Sequence, residues 1–213
     1  MASEVSASRT PGTRSAPGNT SAPGTTPGLL PGIPTMPVTP APADVDPAAL
    51  RIVLYPHPVL REVAQPLDAV DDHVRAVADR MIELMHEARG VGLAAPQVGL
   101  PWRLFVINPT NEPGEDRVII NPELSAPGPF TEPRDEGCLS LPGITAEVTR
   151  PTAITLSALD RDGQPFTLTS DDFPARVWQH EFDHLDGVLI LDKMTRIDRM
   201  ANKRAIQELE SNA

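Results

Sequence analysis

The sequence predicts an α+β fold, in which β-strands pack around a central helix that carries a functional motif. Three observations support this prediction. An amphipathic helical segment comes first, a run of short strand-like segments fills the middle of the chain, and helical segments follow to the C terminus. Strands that are grouped between helices, instead of alternating with them, are typical of α+β proteins.

The first 47 of the 213 residues differ in composition from the rest. They hold ten of the 25 prolines, five Pro-Gly pairs and no aromatic residue. Such a segment cannot bury enough apolar surface to offset the entropy that it would lose on ordering. We therefore predict a disordered tail at residues 1–47 and one globular domain at residues 48–213.

Charge and cysteine content exclude several classes of function. Eighteen Lys and Arg against 29 Asp and Glu give a formal net charge of −11, which opposes binding to DNA or to an anionic membrane. Prolines interrupt the most apolar early stretch, GLLPGIPTMPV, so we predict neither a membrane span nor a secretory signal. The single cysteine, Cys138, permits no internal disulfide. With arginine far in excess of lysine, these features favour a bacterial cytoplasm. The oligomeric state stays open, with a monomer as the default expectation.

DDHVRAVADRMIELMHEARG predicts the first helix. Its apolar stripe is Val74, Val77, Met81, Leu84 and Ala88. Asp71 or Asp72 is predicted to cap the start of the helix, and Gly90 to end it. His73 and His86 have no ligand-like neighbours and are predicted to be ordinary helix residues.

The middle of the chain predicts strands, and helices return after it. The strand-like segments are WRLFVIN, RVIINPEL, ITAEVT, AITLSAL and PFTLTS. DRDG predicts a hairpin turn between the last two. The next helix is predicted to run from Asp171 to Gly187. RIDRMANKRAIQELE then predicts one terminal amphipathic helix, with Ile197, Met200 and Leu209 among its apolar positions.

The helix predicted from Asp171 contains WQHEFDHLDG, which holds a His-Glu-x-x-His motif. His180 and His184 lie one turn apart on a helix face and can hold a metal, while Glu181 can act as a base. Apolar flanking residues, among them Phe182 and Leu185, indicate that the helix has surface to bury. The motif is typical of metalloproteases, which need a third protein ligand.

The third ligand separates several classes of enzyme. Position 190, where metzincins have a histidine, is Ile190. Glu208 or Glu210 would be the ligand in a thermolysin-like enzyme, but both lie near the chain end, where helices fray. Upstream, DEGCLSLPG places Cys138 next to Gly137, which permits close backbone approach. Cys138 is the better candidate, although a lone cysteine is ordinarily a buried, inert thiol.

Three segments of the chain carry a resemblance to a known family. They are GVGLAAPQVG at residues 90–99, EGCLS at residues 136–140 and HEFDHLDG at residues 180–187. In this order and spacing they resemble the peptide deformylases of bacterial type, and the likeness extends over about residues 50–200. It implies that Cys138, His180 and His184 bind the metal. It also implies removal of the formyl group from the N-terminal formyl-methionine of nascent polypeptides, with release of formate.

The resemblance implies roles for further residues. Glu181 would accept a proton from water and pass it to the departing methionine amine. The Gln97 side chain and the Leu139 backbone N–H would donate hydrogen bonds to the formyl oxygen. The backbones of Val91, Gly92 and Gly137 are expected to line the peptide, and Val177 is a candidate for the apolar methionine pocket with Val91 and Leu139.

The ligand set and the resemblance favour different metals. Two histidines and a cysteine around a hydrolytic centre ordinarily indicate Zn²⁺, whereas the family implies Fe²⁺ in its most active form. We expect Fe²⁺ in the cell, and Zn²⁺ or Ni²⁺ in an isolated sample.

Two other functions and one further partner stay open at this point. A thermolysin-like metallopeptidase with a downstream glutamate ligand is one alternative, and a catalytically silent binding module of the same fold is another. A basic cluster in the C-terminal region indicates contact with the ribosome, or else a solvated face with interspersed acids. Its members are Lys193, Arg196, Arg199, Lys203 and Arg204.

Overall fold

The computed structural model describes residues 45–212. Within them the strands are β1 (Gly92–Ala94), β2 (Leu104–Ile107), β3 (Arg117–Ser125), β4 (Thr131–Gly137), β5 (Thr145–Pro151), β6 (Ile154–Leu159) and β7 (Pro165–Ser170). The α-helices are α1 (Asp72–Glu87), α2 (Phe173–Leu185), α3 (Ile190–Lys193), α4 (Arg196–Ala201) and α5 (Lys203–Ser211). Short 3₁₀ helices span Pro47–Ala49, Pro58–Arg61 and Ala95–Val98. This element order confirms the α+β class.

The predicted tail lies almost entirely outside the described residues. At its end, Val45 packs against the core and Asp46 accepts a hydrogen bond from the backbone N–H of Ala48. The described structure therefore begins slightly before the predicted domain start at residue 48. No helix in residues 45–212 is long and apolar enough to cross a membrane.

Two antiparallel sheets form the β-structure of the described chain. Five strands pair in the order β1-β2-β3-β6-β7, and β4 pairs with β5 in a second sheet. All five predicted strand segments form strands, and DRDG turns between β6 and β7 with Gly163 at φ 77°. Two strands were not predicted: β1, which has only three residues, and β4, whose residues are mostly polar.

Helices α1 and α2 cover opposite faces of the larger sheet. Because successive strand residues point to opposite faces, Leu104 and Val106 of β2 pack with α1, while Phe105 and Ile107 pack with α2. A third cluster joins β5 to the C-terminal helices. Helix α2 also contacts β5 of the smaller sheet. This motif-bearing helix is therefore central, as predicted.

Helix α1 confirms most of its prediction. Asp71 caps it by accepting from the Val74 backbone N–H at 2.9 Å, and the apolar stripe is buried up to Leu84. The predicted end was wrong, because the helix stops at Glu87. The residue that adopts the left-handed backbone after it is Arg89, with φ 56°, and not Gly90. Ala88 lies beyond the last turn and is exposed.

The predicted single C-terminal helix was also wrong, because α4 and α5 meet at Asn202. The Asn202 side chain donates to the carbonyls of Thr145 and Asp198, at 2.8 and 2.9 Å. These bonds fix the chain at the break. Ile197 and Met200, predicted among the apolar positions of this helix, are 79% and 78% exposed on α4. The motif helix α2 begins at Phe173 and ends at Leu185, slightly inside its predicted bounds.

Candidate metal centre and active site

A cysteine and two histidines converge where the end of β4 meets α2. Cys138 directly follows β4, and its Sγ lies 3.3 Å from Nε2 of His184. The candidate ligand atoms of Cys138, His180 and His184 lie within 4.8 Å of one another. A thiolate and two imidazoles suit a tetrahedral ion with a metal–sulfur distance of about 2.3 Å and metal–nitrogen distances of about 2.0–2.1 Å. These residues therefore fit a transition-metal site.

The two downstream glutamates lie elsewhere in the described structure. Glu208 accepts from Nε of Arg204 at 2.8 Å, and Glu210 accepts from the Tyr55 hydroxyl at 3.0 Å. Neither belongs to the group of side chains that can hold a metal. The thermolysin-like ligand set therefore has no support in residues 45–212.

A buried carboxylate orients His180. Oε2 of Glu136 lies 3.0 Å from Nδ1 of His180, so this contact leaves Nε2 as the nitrogen for a metal. Glu136 also accepts two hydrogen bonds from Arg150, at 2.6 and 2.8 Å, and one from Arg176 at 2.7 Å. Burial alone would raise the pKa of Glu136, but Arg150 and His180 outweigh it and hold the pKa well below its usual range. Glu136 is therefore an anion behind the metal site.

The arginines extend this network across the domain. Arg150, whose side chain is 3% exposed, also donates to Asp183 at 2.8 Å, and Lys193 pairs with the same carboxylate at 2.7 Å. Arg176 donates to the backbone carbonyls of Val148 and Glu132. The network thus ties α2 to both strands of the smaller sheet.

The sequence does not predict this network, although Glu136 lies within the segment EGCLS. Arg150 and Arg176 are 14 and 40 residues away from it along the chain. No local pattern joins charged residues at such separations. The signal present in the sequence was an acidic residue two positions before the candidate cysteine ligand.

Glu181 has the opposite environment. It is 4% exposed, and its Oε2 is buried without a hydrogen-bond partner among the described residues. Burial raises the pKa of Glu181 to about 7, while the positive charges of His180 and Arg150 oppose the rise. A carboxyl group with a pKa near neutrality can both accept and return a proton.

Gln97 is held in a fixed orientation beside the cysteine. It lies in the 3₁₀ helix Ala95–Val98, and its Oε1 accepts from the backbone N–H of Ala94 at 2.8 Å. Its Nε2 donates to Oγ of Ser140 at 3.3 Å and lies 3.5 Å from Sγ of Cys138. The amide N–H donors therefore face the candidate metal site.

A cavity of about 530 Å³ opens in front of these groups. The predicted site residues that line it are Val91, Gly92, Gln97, Gly137, Cys138, Leu139, Val177, His180 and Glu181. His184 joins this set through its contact with Cys138. Phe173, Ile144 and Arg176 line the cavity too and were not predicted. Segments at β1 and at the end of β4 thus border one cleft.

Residues 49–200 match the family model described as polypeptide deformylase. The chain belongs to the polypeptide deformylase family. The fold and the cleft described above are therefore those of a deformylase-family domain, and the predicted resemblance is confirmed.

Individual deformylases are similar over most of this domain. The chain is 43% identical over 161 residues to the peptide deformylase of Azotobacter vinelandii, covering 76% of this chain and 96% of that protein. It is 45% identical over 148 residues to peptide deformylase 1B, chloroplastic/mitochondrial, of Arabidopsis thaliana. That match covers 68% of this chain and 54%, about half, of the Arabidopsis protein.

Solved deformylase structures share the fold. The peptide deformylase of Plasmodium falciparum has a TM-score of 0.74 at 35% identity, covering 76% of this chain and 96% of that one. The enzyme of Thermotoga maritima has a TM-score of 0.66 at 42% identity, covering 68% and 97%.

Proposed function

We propose that this deformylase-family member is a metal-dependent hydrolase that removes the formyl group from the N-terminal formyl-methionine of nascent polypeptides and releases formate. One observation carries the proposal: Cys138, His180 and His184 cluster together, and two of them, Cys138 and His180, line the same cleft as the buried Glu181. Family membership specifies the amide that is cleaved.

The proposed mechanism assigns a task to each polar group. Cys138, His180 and His184 would hold the metal, which supplies Lewis-acid polarisation and lowers the pKa of water. Glu181 accepts the proton of the attacking water and delivers it to the departing methionine amine. Nε2 of Gln97 and the backbone N–H of Leu139 donate to the formyl oxygen as negative charge develops there. The bond from the Ala94 N–H to Gln97 supports this role, because it prevents the amide from turning.

The proposed substrate site uses main chain on both sides of the cleft. Val91, Gly92 and Gly137 pair with the peptide backbone, which accommodates nascent chains of many sequences. Val177, which is 4% exposed on α2, and the half-buried Leu139 provide apolar surface for the methionine side chain.

A three-substrate assay tests the reaction. A formyl-methionyl peptide, its unformylated counterpart and a longer internally cleavable peptide are incubated with the metal-loaded protein. We expect formate from the first and no internal cleavage of the third. Internal cleavage would favour a metallopeptidase, and binding without formate release would favour a silent module. A Cys138→Ser variant that kept full metal content and activity would contradict the ligand assignment.

We propose Fe²⁺ as the metal in the cell, with Zn²⁺ or Ni²⁺ acquired during isolation. The mixed thiolate and imidazole donors support all three ions, so the identity must be measured. Protein prepared without oxygen should contain iron and lose activity in air. Full activity that is stable in air with zinc alone would contradict the assignment.

We propose that the C-terminal basic cluster contacts the ribosome. Lys193 and Arg204 are already paired with carboxylates, whereas Arg196 and Lys203 are exposed and donate to no carboxylate within residues 45–212. Co-sedimentation with ribosomes should weaken with salt and fall strongly in an Arg196→Glu/Lys203→Glu variant. Equal co-sedimentation of both proteins would contradict this contact.

We also propose that residues 48–213 form the catalytic domain of a monomer in a bacterial cytoplasm, with residues 1–47 as an appended tail. A variant without residues 1–44, which keeps Val45 in the core, should release formate at the full rate. Light scattering should give the mass of one chain. Loss of activity in the truncated protein would contradict this division.

A further inference from the structure

Gly92 lies unusually close to the proposed base. A Cβ atom built on Gly92 would stand 2.3 Å from Oε1 of Glu181, 2.7 Å from its Cδ and 2.9 Å from its Cγ. Carbon atoms that are not bonded normally approach to about 3.5–4.0 Å. Any side chain at position 92 would therefore occupy the space of the Glu181 carboxyl group.

Backbone conformation does not explain a glycine at this position. Gly92 lies in β1, pairs with Ile107 of β2, and is not among the glycines with positive φ. Glycine within a strand ordinarily destabilises the fold, and often marks a close approach of another group. The close approach here is that of Glu181.

Protein packing limits the position of the Glu181 side chain. Its Oε2 has no hydrogen-bond partner within residues 45–212, the residue is 4% exposed, and the space left by Gly92 on β1 is taken up by its carboxyl group. No protein hydrogen bond to Oε2 would resist a displacement of this group. The surface of β1 at Gly92 therefore sets how far the carboxyl group extends.

We propose that Gly92 is a positioning residue for Glu181, in addition to the backbone pairing assigned to it above. Because Gly92 has no side chain, the carboxyl group of Glu181 can lie against β1 and border the cleft. An alanine there displaces it by an ångström or more. This inference rests on the proposed role of Glu181 as proton acceptor.

The kinetic test compares Gly92→Ala with the unaltered full-length protein, loaded with the same metal. We expect kcat to fall about a hundredfold, because misplacing a catalytic group by about 1 Å costs that much. Metal content should change little, since the substitution touches neither Cys138 nor the histidines. KM should also change little, since alanine keeps the main-chain groups at position 92 that pair with the peptide. A raised KM with unchanged kcat would overturn the proposal, because Gly92 would then act only through substrate pairing.

A double-mutant cycle tests the contact itself, without reference to activity. Gly92→Ala should lower the Tm of the protein that has Glu181. In a Glu181→Ala background the same change should raise the Tm, because alanine suits a strand better than glycine once the space is free. An equal decrease in both backgrounds would overturn the proposal.

Gly137→Ala is the matched control on the opposite side of the cleft. Its added Cβ would have Ile144 O, at 4.0 Å, as its nearest neighbour. Its effect on Tm should therefore be the same in the unaltered protein and in the Glu181→Ala background. If the effect of Gly137→Ala on Tm also depended on residue 181, the dependence seen with Gly92→Ala would not be specific to the Gly92 contact. Formate release by Glu181→Ala would refute the proposed role of Glu181, whereas the Tm cycle reports on the contact alone.

Discussion

His180 and Glu181 are neighbours on α2, yet the protein fixes them by opposite means. His180 contacts Glu136, which is anchored in turn by Arg150 and Arg176. Glu181 lies in a buried space whose boundary includes Gly92, and its Oε2 has no polar partner among the described residues. A metal ligand needs one ring nitrogen held in a fixed direction, which hydrogen bonds achieve. The proposed role of Glu181 as a base that returns its proton is favoured by a raised pKa, and burial raises the pKa of Glu181.

Removing Glu136, the carboxylate that contacts His180, should have the largest effect on stability and on metal affinity. Glu136→Ala leaves Arg150 and Arg176 buried without their shared anion, which typically costs about 3–5 kcal/mol of unfolding free energy. Loss of such an outer partner also weakens metal binding by about 10–100-fold. Urea unfolding and metal titration measure the two effects. A stable variant with normal metal affinity would show that the network does not orient His180.

Removing an electrostatic donor on the cleft side should affect the reaction more than the fold. A smaller loss of stability is also expected, because Gln97 accepts from the Ala94 N–H and donates to Ser140. Gln97→Leu removes one of the two proposed donors to the formyl oxygen. We expect kcat to fall by about 10²–10³, equivalent to about 2.7–4 kcal/mol. Steady-state formate release measures this loss, and metal analysis serves as the control. Unchanged kcat would mean that Gln97 only supports Cys138 and Ser140.

The local parts of this arrangement could be predicted from the sequence. His180 and His184 share a helix face by spacing alone, and the alternating strands β5 and β6 follow the period of two. Strand β4 could not be predicted, because TEPRDEG has five exposed residues besides one buried position at Glu136 and lacks an apolar stripe. It exists because it pairs along its whole length with β5.

The parts that depend on distant contacts could not be predicted. Glu136 contacts Arg150 and Arg176 where the smaller sheet packs against α2. The break at Asn202 depends on the Thr145 carbonyl of another element, and no Gly or Pro marks it. No spacing rule links Cys138 to the histidines, so only a comparison of candidate positions and the family resemblance favour it as the third ligand.

Removing one of the two arginines that bind Glu136 should have an intermediate effect on the unfolding free energy. Arg176→Gln removes the charged hydrogen bond to Glu136 and those to the carbonyls of Val148 and Glu132, but Arg150 still neutralises the carboxylate with two bonds. We expect the lost bond to the carboxylate to account for most of the cost in unfolding free energy, about 1.5–3 kcal/mol, the usual worth of a hydrogen bond to a charged group. Denaturant unfolding of the full chain measures it. A loss of unfolding free energy as large as that of Glu136→Ala would mean that Arg150 alone does not stabilise the Glu136 carboxylate.

A pair of an arginine and a carboxylate outside the core should contribute least to stability. Arg61 and Asp192 form an ion pair whose side chains are 39% and 42% exposed. Partial burial alone would raise the pKa of Asp192, but the hydrogen bonds from Arg61 and from the Leu189 N–H lower it below the ordinary 3.8. The folded carboxyl group thus binds its proton more weakly than the unfolded one, so the pair stabilises the protein above pH 3.8.

Asp192→Asn should therefore cost less than about 1 kcal/mol at pH 7. The cost should stay constant down to about the unfolded pKa of 3.8 and disappear as the pH falls through the lower folded pKa. Unfolding free energies of both proteins, measured at a series of pH values, give this difference directly. Both pairs join an arginine to a carboxylate at hydrogen-bonding distance, and they differ in burial. If Asp192→Asn lowered the unfolding free energy as much as Arg176→Gln does, burial would not explain the larger contribution expected of the His180 network.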